Sequence, residues 1–245
     1  MPTLGRLTGR GNTINLENVV KTAPDLVVDL GYVSDTFVSL ADRVQRQTGI
    51  PHVLIGGGLA DTPAALRKLG TVVGTQARAE ILARYAEETL TLVKGRIAGA
   101  QQHPSLYVAR GPRGLETGVA GSINTEALDF IGARNVATPA LGARGLADVS
   151  MEQILAWQSD FIIAIDAGFY QAVWHDPLWQ QLAAVKAKHV YLAPTLPFGW
   201  VDEPPAANRL LGLRWLGRLL YPSLFPEDIR VEARRFYALF YPRTK

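Results

Sequence analysis

The sequence predicts an α/β protein of two Rossmann-like lobes, each with a parallel sheet, joined by one long interlobe helix. The first observation is a repeated pattern. An acidic residue is followed eight positions later by an aspartate that opens an apolar run, at Glu17 and Asp25 and again at Glu152 and Asp160. The second observation is the segment 75–102, which contains no proline and carries apolar residues at the three-to-four spacing of an amphipathic helix.

Each copy of the repeated pattern predicts a short helix followed by a buried strand. The acid falls in the first helical turn, where it complements the helix dipole. The runs 26–28 and 161–163 are continuously apolar, which is typical of a parallel strand covered on both faces. The segments 51–55 and 188–192 resemble each other and predict the next strand of each copy. Two such copies predict two lobes of similar build.

The segment 75–102 is predicted to be the link between the lobes. A helix of about 28 residues would be about 40 Å long, which suits a strut between two bodies. His103 and Pro104 end it, and 105–109 is predicted to be the first strand of the next lobe. The predicted organisation is therefore an N-terminal lobe over 1–74, the interlobe helix over 75–102 and a C-terminal lobe over 103–245.

Two further helices are predicted near the end of the chain. The proline pair at 204–205 predicts a helix start, and leucines from Leu210 to Leu220 form the apolar side of that helix. Tyr221 and Pro222 end it, and the last helix is predicted over 226–239.

Composition and motifs argue against several functional classes. The net charge is +3 and no run of Lys or Arg exceeds two residues, so the dense basic stripe of a nucleic-acid-binding protein is missing from the sequence. The chain has no cysteine, which excludes thiolate sites and disulfides. The four histidines lack metal-site spacing, and the glycines 56–58 lack the Lys-Ser/Thr of a phosphate loop. We therefore expect no catalysis, no cofactor and no metal site.

The sequence also bears on membranes and export. No apolar stretch approaches the roughly 20 residues of a membrane-spanning helix. The residues that follow Met1 lack the apolar core of a signal peptide, so an export signal would have to lie upstream.

Aromatic and charged residues follow the predicted strands, at the edge where open α/β sheets bind their ligands. Aromatic rings together with two arginines suit a sizeable ligand with flat or apolar parts and some negative charge. The alternative is ordinary turn chemistry, with aromatic rings covering the ends of the sheet. The predicted ligand-binding residues are Tyr32, Arg110, Arg113, Glu116, Asp166, Phe169, Tyr170, Phe198 and Trp200.

Several motifs spread over nearly the whole chain resemble one family, the class III periplasmic binding proteins. These proteins serve ABC importers of ferric siderophores, haem, vitamin B12 and some metals or oxyanions. The motifs are Asn15-Leu16-Glu17 with Pro24-Asp25-Leu26-Val27, Leu66 to Gly70 with Gly74, Glu116-Thr117-Gly118 with Gly121-Ser122, Gly132 to Val136, and Pro204-Pro205 with Asn208 to Trp215.

The resemblance implies a substrate-binding protein without catalysis. Such a protein is a periplasmic monomer that captures its ligand between two lobes and delivers it to an ABC permease in the inner membrane. The expected ligand is a ferric siderophore, haem or a cobalamin-like molecule. An oxyanion such as molybdate or tungstate is the alternative within the family, because the motif of the closing helix is similar in that subgroup. Outside the family, the alternatives are a nucleotide- or sugar-using α/β enzyme and a cytosolic interaction module.

The resemblance also implies a docking role for two acids. In the family's vitamin B12 binding protein, one acid on each lobe meets permease arginines, and by motif position these acids correspond to Glu17 and Glu152. Alternatively, the two acids only complement helix dipoles. Family members usually begin with a signal peptide, a first strand and a helix before the segment that starts at Met1 here. The resemblance therefore implies that the first βα portion of the first lobe is missing from this chain.

Overall fold

A computed structural model of the protein describes residues 16–31, 33–142, 145–202, 204 and 206–242. Contacts between Cα atoms divide the chain into two compact units, Met1–Gly57 and Gly58–Lys245.

The first unit contains the predicted short helix and the two predicted strands, with a second helix between the strands. The two strands pair in parallel from Val27 opposite His52 to Gly31 opposite Gly56. The second helix ends at Gly49, whose φ of 72° is the left-handed conformation that glycine adopts at helix ends. The elements are α1 (Leu16–Thr22), β1 (Val27–Gly31), α2 (Asp35–Thr48) and β2 (His52–Gly56).

The second unit is built on a four-stranded parallel sheet. Its strand order is β5-β3-β7-β8, and a separate antiparallel pair joins β4 to β6. The elements are α3 (Thr62–Val72), α4 (Gln76–Ile97), β3 (Ser105–Ala109), β4 (Glu116–Gly118), α5 (Glu126–Phe130), β5 (Arg134–Asn135), α6 (Thr138–Leu141), β6 (Leu146–Asp148), α7 (Met151–Trp157), β7 (Phe161–Ala164), α8 (Ala167–Ala172), a 3-10 turn (Trp179–Gln181), α9 (Ala183–Lys186), β8 (Val190–Leu192), α10 (Arg209–Leu220) and α11 (Ile229–Phe240).

The central strand β3 explains why the sheet is covered on both faces. Leu106 and Val108 point into one buried cluster, together with leucines of α10 and residues of α4. Tyr107 and Ala109 point into a second buried cluster that contains Trp179. Successive side chains of a strand face opposite sides, so a continuously apolar strand needs apolar partners on both. The prediction of an α/β fold with parallel sheets is confirmed.

The long helix is shorter than the sequence predicts. Helix α4 covers Gln76–Ile97, about 33 Å at 1.5 Å per residue, and tight turns at Gly99 and Ala100 end it before residue 102. It packs on α3, where Arg67 donates to Glu80 at 2.7 Å and to Glu87 at 2.6 Å. These contacts belong to the second unit. The role of 75–102 as a link between lobes remains a prediction.

The C-terminal helices lie close to their predicted positions. Helix α10 begins at Arg209, a few residues after the proline pair, and α11 begins after an N-cap at Asp228. Gly212 of α10 lies directly against the backbone of Trp200, so a Cβ at this position would overlap the Trp200 carbonyl. Within the described residues, no helix combines the length and apolar character needed to cross a bilayer.

Candidate ligand-binding site

Three parallel strands of the second unit end at one edge of the sheet, and their following loops carry most of the predicted ligand-binding residues. The chain leaves β3 at Arg110, β7 shortly before Asp166, and β8 before the segment that holds Phe198 and Trp200. This edge is the candidate site. Tyr32 lies outside the described residues.

Arg110 is buried at the end of β3 and is engaged inside the protein. Its side chain is 8% exposed. Its Nε lies 3.0 Å from Glu116, and it forms a second ion pair with the buried carboxylate of Asp202. Asn124 donates its side-chain N–H to Asp202 at 2.7 Å. Because the two carboxylates neutralise the charge of Arg110, this arginine acts as a structural residue that stabilises the fold.

Trp200 also belongs to the interior. Its ring is part of the larger buried cluster, and its Nε1 donates to the Tyr237 hydroxyl at 2.8 Å. That hydroxyl donates in turn to the carbonyl of Leu196 at 2.7 Å. The loop after β8 is therefore tied to α11 through hydrogen bonds and to α10 through the close contact at Gly212.

Two of the predicted aromatic residues are accessible. Phe198 is 45% exposed, and its ring centre lies 6.3 Å from that of Tyr241. Tyr170 is half-buried and meets Trp174 edge-on at 5.9 Å. These rings can contact a ligand that approaches this edge of the sheet.

Asp166 and Phe169 shape the loop and helix after β7. The Asp166 carboxylate accepts the backbone N–H of Phe169 at 2.8 Å and so caps α8. Phe169 is buried, with its ring centre 4.7 Å from that of Trp179. The Phe169 ring also lies against Gly114, where φ is 68° and a Cβ would overlap the ring.

Arg113 lies at a cavity of about 240 Å³ on the same loop as Arg110. Its side chain is exposed, and it forms no ion pair within the described part of the chain. Most residues of the cavity wall are apolar, and the wall also includes the acidic residue Asp176. Arg113 thus offers an unneutralised positive charge beside apolar surface.

The described part of the predicted set therefore separates into four kinds of residue. Arg110, Glu116 and Trp200 stabilise the sheet edge from inside, and Asp166 caps α8. Phe198 and Tyr170 are accessible aromatic rings, and Arg113 and Phe169 contribute to one cavity wall. Sequence reasoning missed Asp202 and Asn124, the partners that hold Arg110 in place. No local signal indicated them, since both lie well beyond Arg110 in the chain and only the structure shows that Arg110 is buried.

The two predicted docking acids lie in the first turns of α1 and α7, and both are exposed. Helix α7 begins with a capping box, in which Ser150 accepts from the Gln153 N–H and the Gln153 side chain accepts from the Ser150 N–H. The backbone N–H of Glu152 and the Ser150 hydroxyl hold the pKa of the Glu152 carboxyl below its ordinary value.

Across the described ranges, no group of three or more His, Cys, Asp or Glu side chains is arranged to hold a metal ion.

The family model described as periplasmic binding protein matches residues 6–196 of the chain. The chain belongs to the periplasmic binding protein family. The resemblance that its motifs indicate is thereby confirmed. A comparison with curated protein sequences finds no significant match.

Solved structures support the same assignment for this periplasmic binding protein. An ABC transporter solute-binding protein from Sulfurospirillum deleyianum is 31% identical, with a TM-score of 0.89 over 99% of this chain and 76% of its own. A periplasmic solute-binding protein from Veillonella parvula is 27% identical, with a TM-score of 0.77 over 96% of this chain and 71% of its own. A molybdate-binding periplasmic protein from Haemophilus influenzae is 23% identical and shares the fold, with a TM-score of 0.76 over 95% of this chain and 76% of its own.

Family membership decides the general function. This periplasmic binding protein is a substrate-binding component of the ABC transport system family and not an enzyme, so it binds a small ligand for delivery to an ABC permease. Its family and these structural neighbours indicate a periplasmic or other extracytoplasmic location.

Proposed function

We propose that the ligand of this protein is an organic chelate or tetrapyrrole: a ferric siderophore or haem in the first place, or a cobalamin-like molecule. The observation that carries the proposal is the chemistry of the sheet edge. Accessible aromatic rings at Phe198 and Tyr170 and the unneutralised charge of Arg113 suit a ligand with flat apolar parts and anionic groups.

The main alternative is a bare oxyanion such as molybdate or tungstate. The similar structure from Haemophilus influenzae is a molybdate-binding protein. A small oxyanion needs a close set of hydrogen-bond donors and positive charge. At this sheet edge the more central arginine, Arg110, is already enclosed by Glu116 and Asp202, whose negative charges repel an anion. An organic ligand that reaches Arg113 avoids that repulsion.

A ligand panel tests the proposal. The purified protein is titrated with a ferric catecholate, a ferric hydroxamate, haemin, cyanocobalamin and sodium molybdate, and thermal unfolding and tryptophan fluorescence are recorded. We expect one organic ligand to stabilise the protein, by about 2.7 kcal/mol when its concentration is 100 times Kd. Stabilisation by molybdate alone would favour the oxyanion alternative, and stabilisation by none of the five would contradict the proposed ligand class.

We also propose that Glu17 and Glu152 dock the loaded protein on its permease. Both side chains are exposed, each in the first turn of a helix in a different unit. Exposed acids of this kind steer association with basic partners and weaken as salt is added.

Charge reversal at both sites tests docking. The double variant Glu17→Lys/Glu152→Lys should abolish ligand uptake in cells that carry the cognate permease, while ligand affinity and thermal stability stay close to wild type. The matched control is Asp35→Lys/Glu88→Lys, which reverses one exposed helical acid in each unit. Equal uptake by the two double variants would show that Glu17 and Glu152 serve only their helices.

A further inference from the structure

The cavity beside Arg113 is lined by apolar side chains from several elements of the second unit. Leu115 follows Arg113 on the loop after β3, Met151 opens α7, and Phe169 and Trp179 form a buried aromatic wall. Its volume of about 240 Å³ equals that of about eight water molecules at roughly 30 Å³ each. A phenyl ring or short alkyl chain with one polar end group fits such a space.

The wall of this cavity is held in place without a ligand. The Tyr107 hydroxyl donates to the carbonyl of Gly114 at 2.7 Å, and Phe169 packs closely against the same glycine. In another part of the wall, one carboxylate oxygen of Asp176 accepts the backbone N–H of Leu178 at 2.8 Å and that of Trp179 at 3.3 Å. A cavity built on such contacts is pre-formed, as small-molecule sites usually are.

The charges at the cavity select the kind of end group. Asp176 uses one oxygen to stabilise its own turn, while Arg113 is exposed and has no carboxylate partner among the described residues. A guanidinium in this state binds a carboxylate through two parallel hydrogen bonds. The negative charge of Asp176 disfavours a second anionic group, so a monocarboxylate suits the cavity better than a dianion.

We propose that this cavity is a subsite for an aryl- or alkyl-carboxylate arm of the transported ligand, with the apolar part against Phe169 and Trp179 and the carboxylate on Arg113. This inference rests on the proposed function in one respect, namely that the arm belongs to the transported ligand. It narrows the ligand to organic molecules that carry a carboxylate next to an apolar group.

The chain offers a direct probe of the cavity. It contains two methionines, Met1 and Met151, and Met151 lines the cavity. In protein labelled with ¹³C at the methionine methyl groups, phenylacetate should shift the Met151 signal in a saturable way. The neutral 2-phenylethanol should bind about tenfold more weakly, and phenethylamine should be weaker still, because Arg113 repels a cation.

Variants separate charge from shape. Arg113→Gln should remove the preference for phenylacetate over 2-phenylethanol, whereas Arg46→Gln, which removes an exposed arginine of the first unit, should leave it unchanged. Ala172→Leu places added volume at the cavity wall and should abolish the Met151 shift. Its control is Gln171→Leu, the neighbouring exposed position of α8, which should keep the shift.

The outcomes distinguish this inference from the proposed function. If phenylacetate leaves the Met151 signal unmoved, or if Arg113→Gln keeps the full preference for the acid, the subsite is wrong even where a chelate from the ligand panel binds. If phenylacetate binds as expected but no organic ligand of the panel stabilises the protein, the subsite stands and the proposed ligand class fails.

Discussion

Arg110 and Arg113 lie on one loop, three residues apart, and have opposite surroundings. Arg110, at the base of the loop, is buried between Glu116 and Asp202, while Arg113, at its tip, is exposed beside an apolar cavity and has no ion pair in the described part of the chain. Residue type and sequence position suggested one shared role for both. The difference shows that the availability of a charge to a ligand depends on which carboxylates the fold brings to it.

The strongest test of this contrast is stability after removal of each charge. Arg110→Met leaves the buried carboxylate of Asp202 without its cation and should lower the free energy of unfolding by about 3–5 kcal/mol in denaturant titrations. Arg113→Met should change it by no more than about 0.5 kcal/mol, as at other exposed positions.

A second substitution identifies the cause of the Arg110 effect. Adding Asp202→Asn to Arg110→Met removes the buried uncompensated charge, so the double variant should regain part of the lost stability. If the losses of stability caused by Arg110→Met and by Asp202→Asn simply add in the double variant, the Arg110–Asp202 pair is not the reason for the loss. The difference between Arg110 and Arg113 would then be smaller than the structure indicates.

A smaller loss of stability than that of Arg110→Met is expected at the middle of the loop, at Gly114. Tyr107→Phe removes the hydroxyl that donates to the Gly114 carbonyl from within the core, and burial also raises the pKa of that hydroxyl above its ordinary value. The expected loss is about 1–2 kcal/mol in the free energy of unfolding. Tyr191→Phe is the control. It is a half-buried tyrosine of the same sheet, and its change should stay below about 0.5 kcal/mol. Equal losses would show that the loop is not held by this hydrogen bond.

The smallest effect is expected at the start of β3, where Ser105 meets Asp160, and there the stability should also depend on pH. Asp160 accepts the Ser105 hydroxyl at 2.6 Å and the Ser105 N–H at 2.8 Å. The hydroxyl is the main cause that lowers the pKa of the Asp160 carboxyl, and the charges of Arg134 and His189 act in the same direction. A lowered carboxyl pKa contributes stability that is present above the ordinary value of 3.8 and is lost as pH falls through the lowered pKa.

Asp160→Asn should therefore cost about 1 kcal/mol near neutral pH. The difference from wild type should shrink between about pH 5 and pH 2. Urea unfolding at a series of pH values measures it. A difference that stays constant with pH would mean that the carboxylate charge does not contribute.

Much of the fold could be predicted because its signals are local. The apolar run 105–109 and the amphipathic segment 75–102 appear as β3 and α4, with an error of several residues at the end of the helix. The antiparallel pair β4–β6 was not predicted, since strands of three residues are too short to show a periodicity.

The candidate site was harder to predict because its contacts are long-range. Asn124 and Asp202 meet across 78 positions of sequence, and nothing near Arg110 in the chain indicates that pair. Aromatic residues at strand ends posed a similar problem. Phe198 is exposed whereas Trp200, two residues later, is buried. An aromatic side chain is equally suited to contact a ligand and to pack in the core, so residue type alone does not separate the two cases.

Under the proposed function, the close packing of Gly212 bears on the thermodynamics of ligand binding. Because helix α10 rests directly on the Trp200 backbone, the loop that carries Phe198 is fixed when the protein folds. A loop that must become ordered on binding loses conformational entropy at that moment, about 0.5–1.5 kcal/mol for each immobilised side chain. Here the loop is already ordered before a ligand binds. If the ligand contacts Phe198 as proposed above, a glycine in a helix interior would thus raise affinity without contacting the ligand, because the complex is spared that entropic loss.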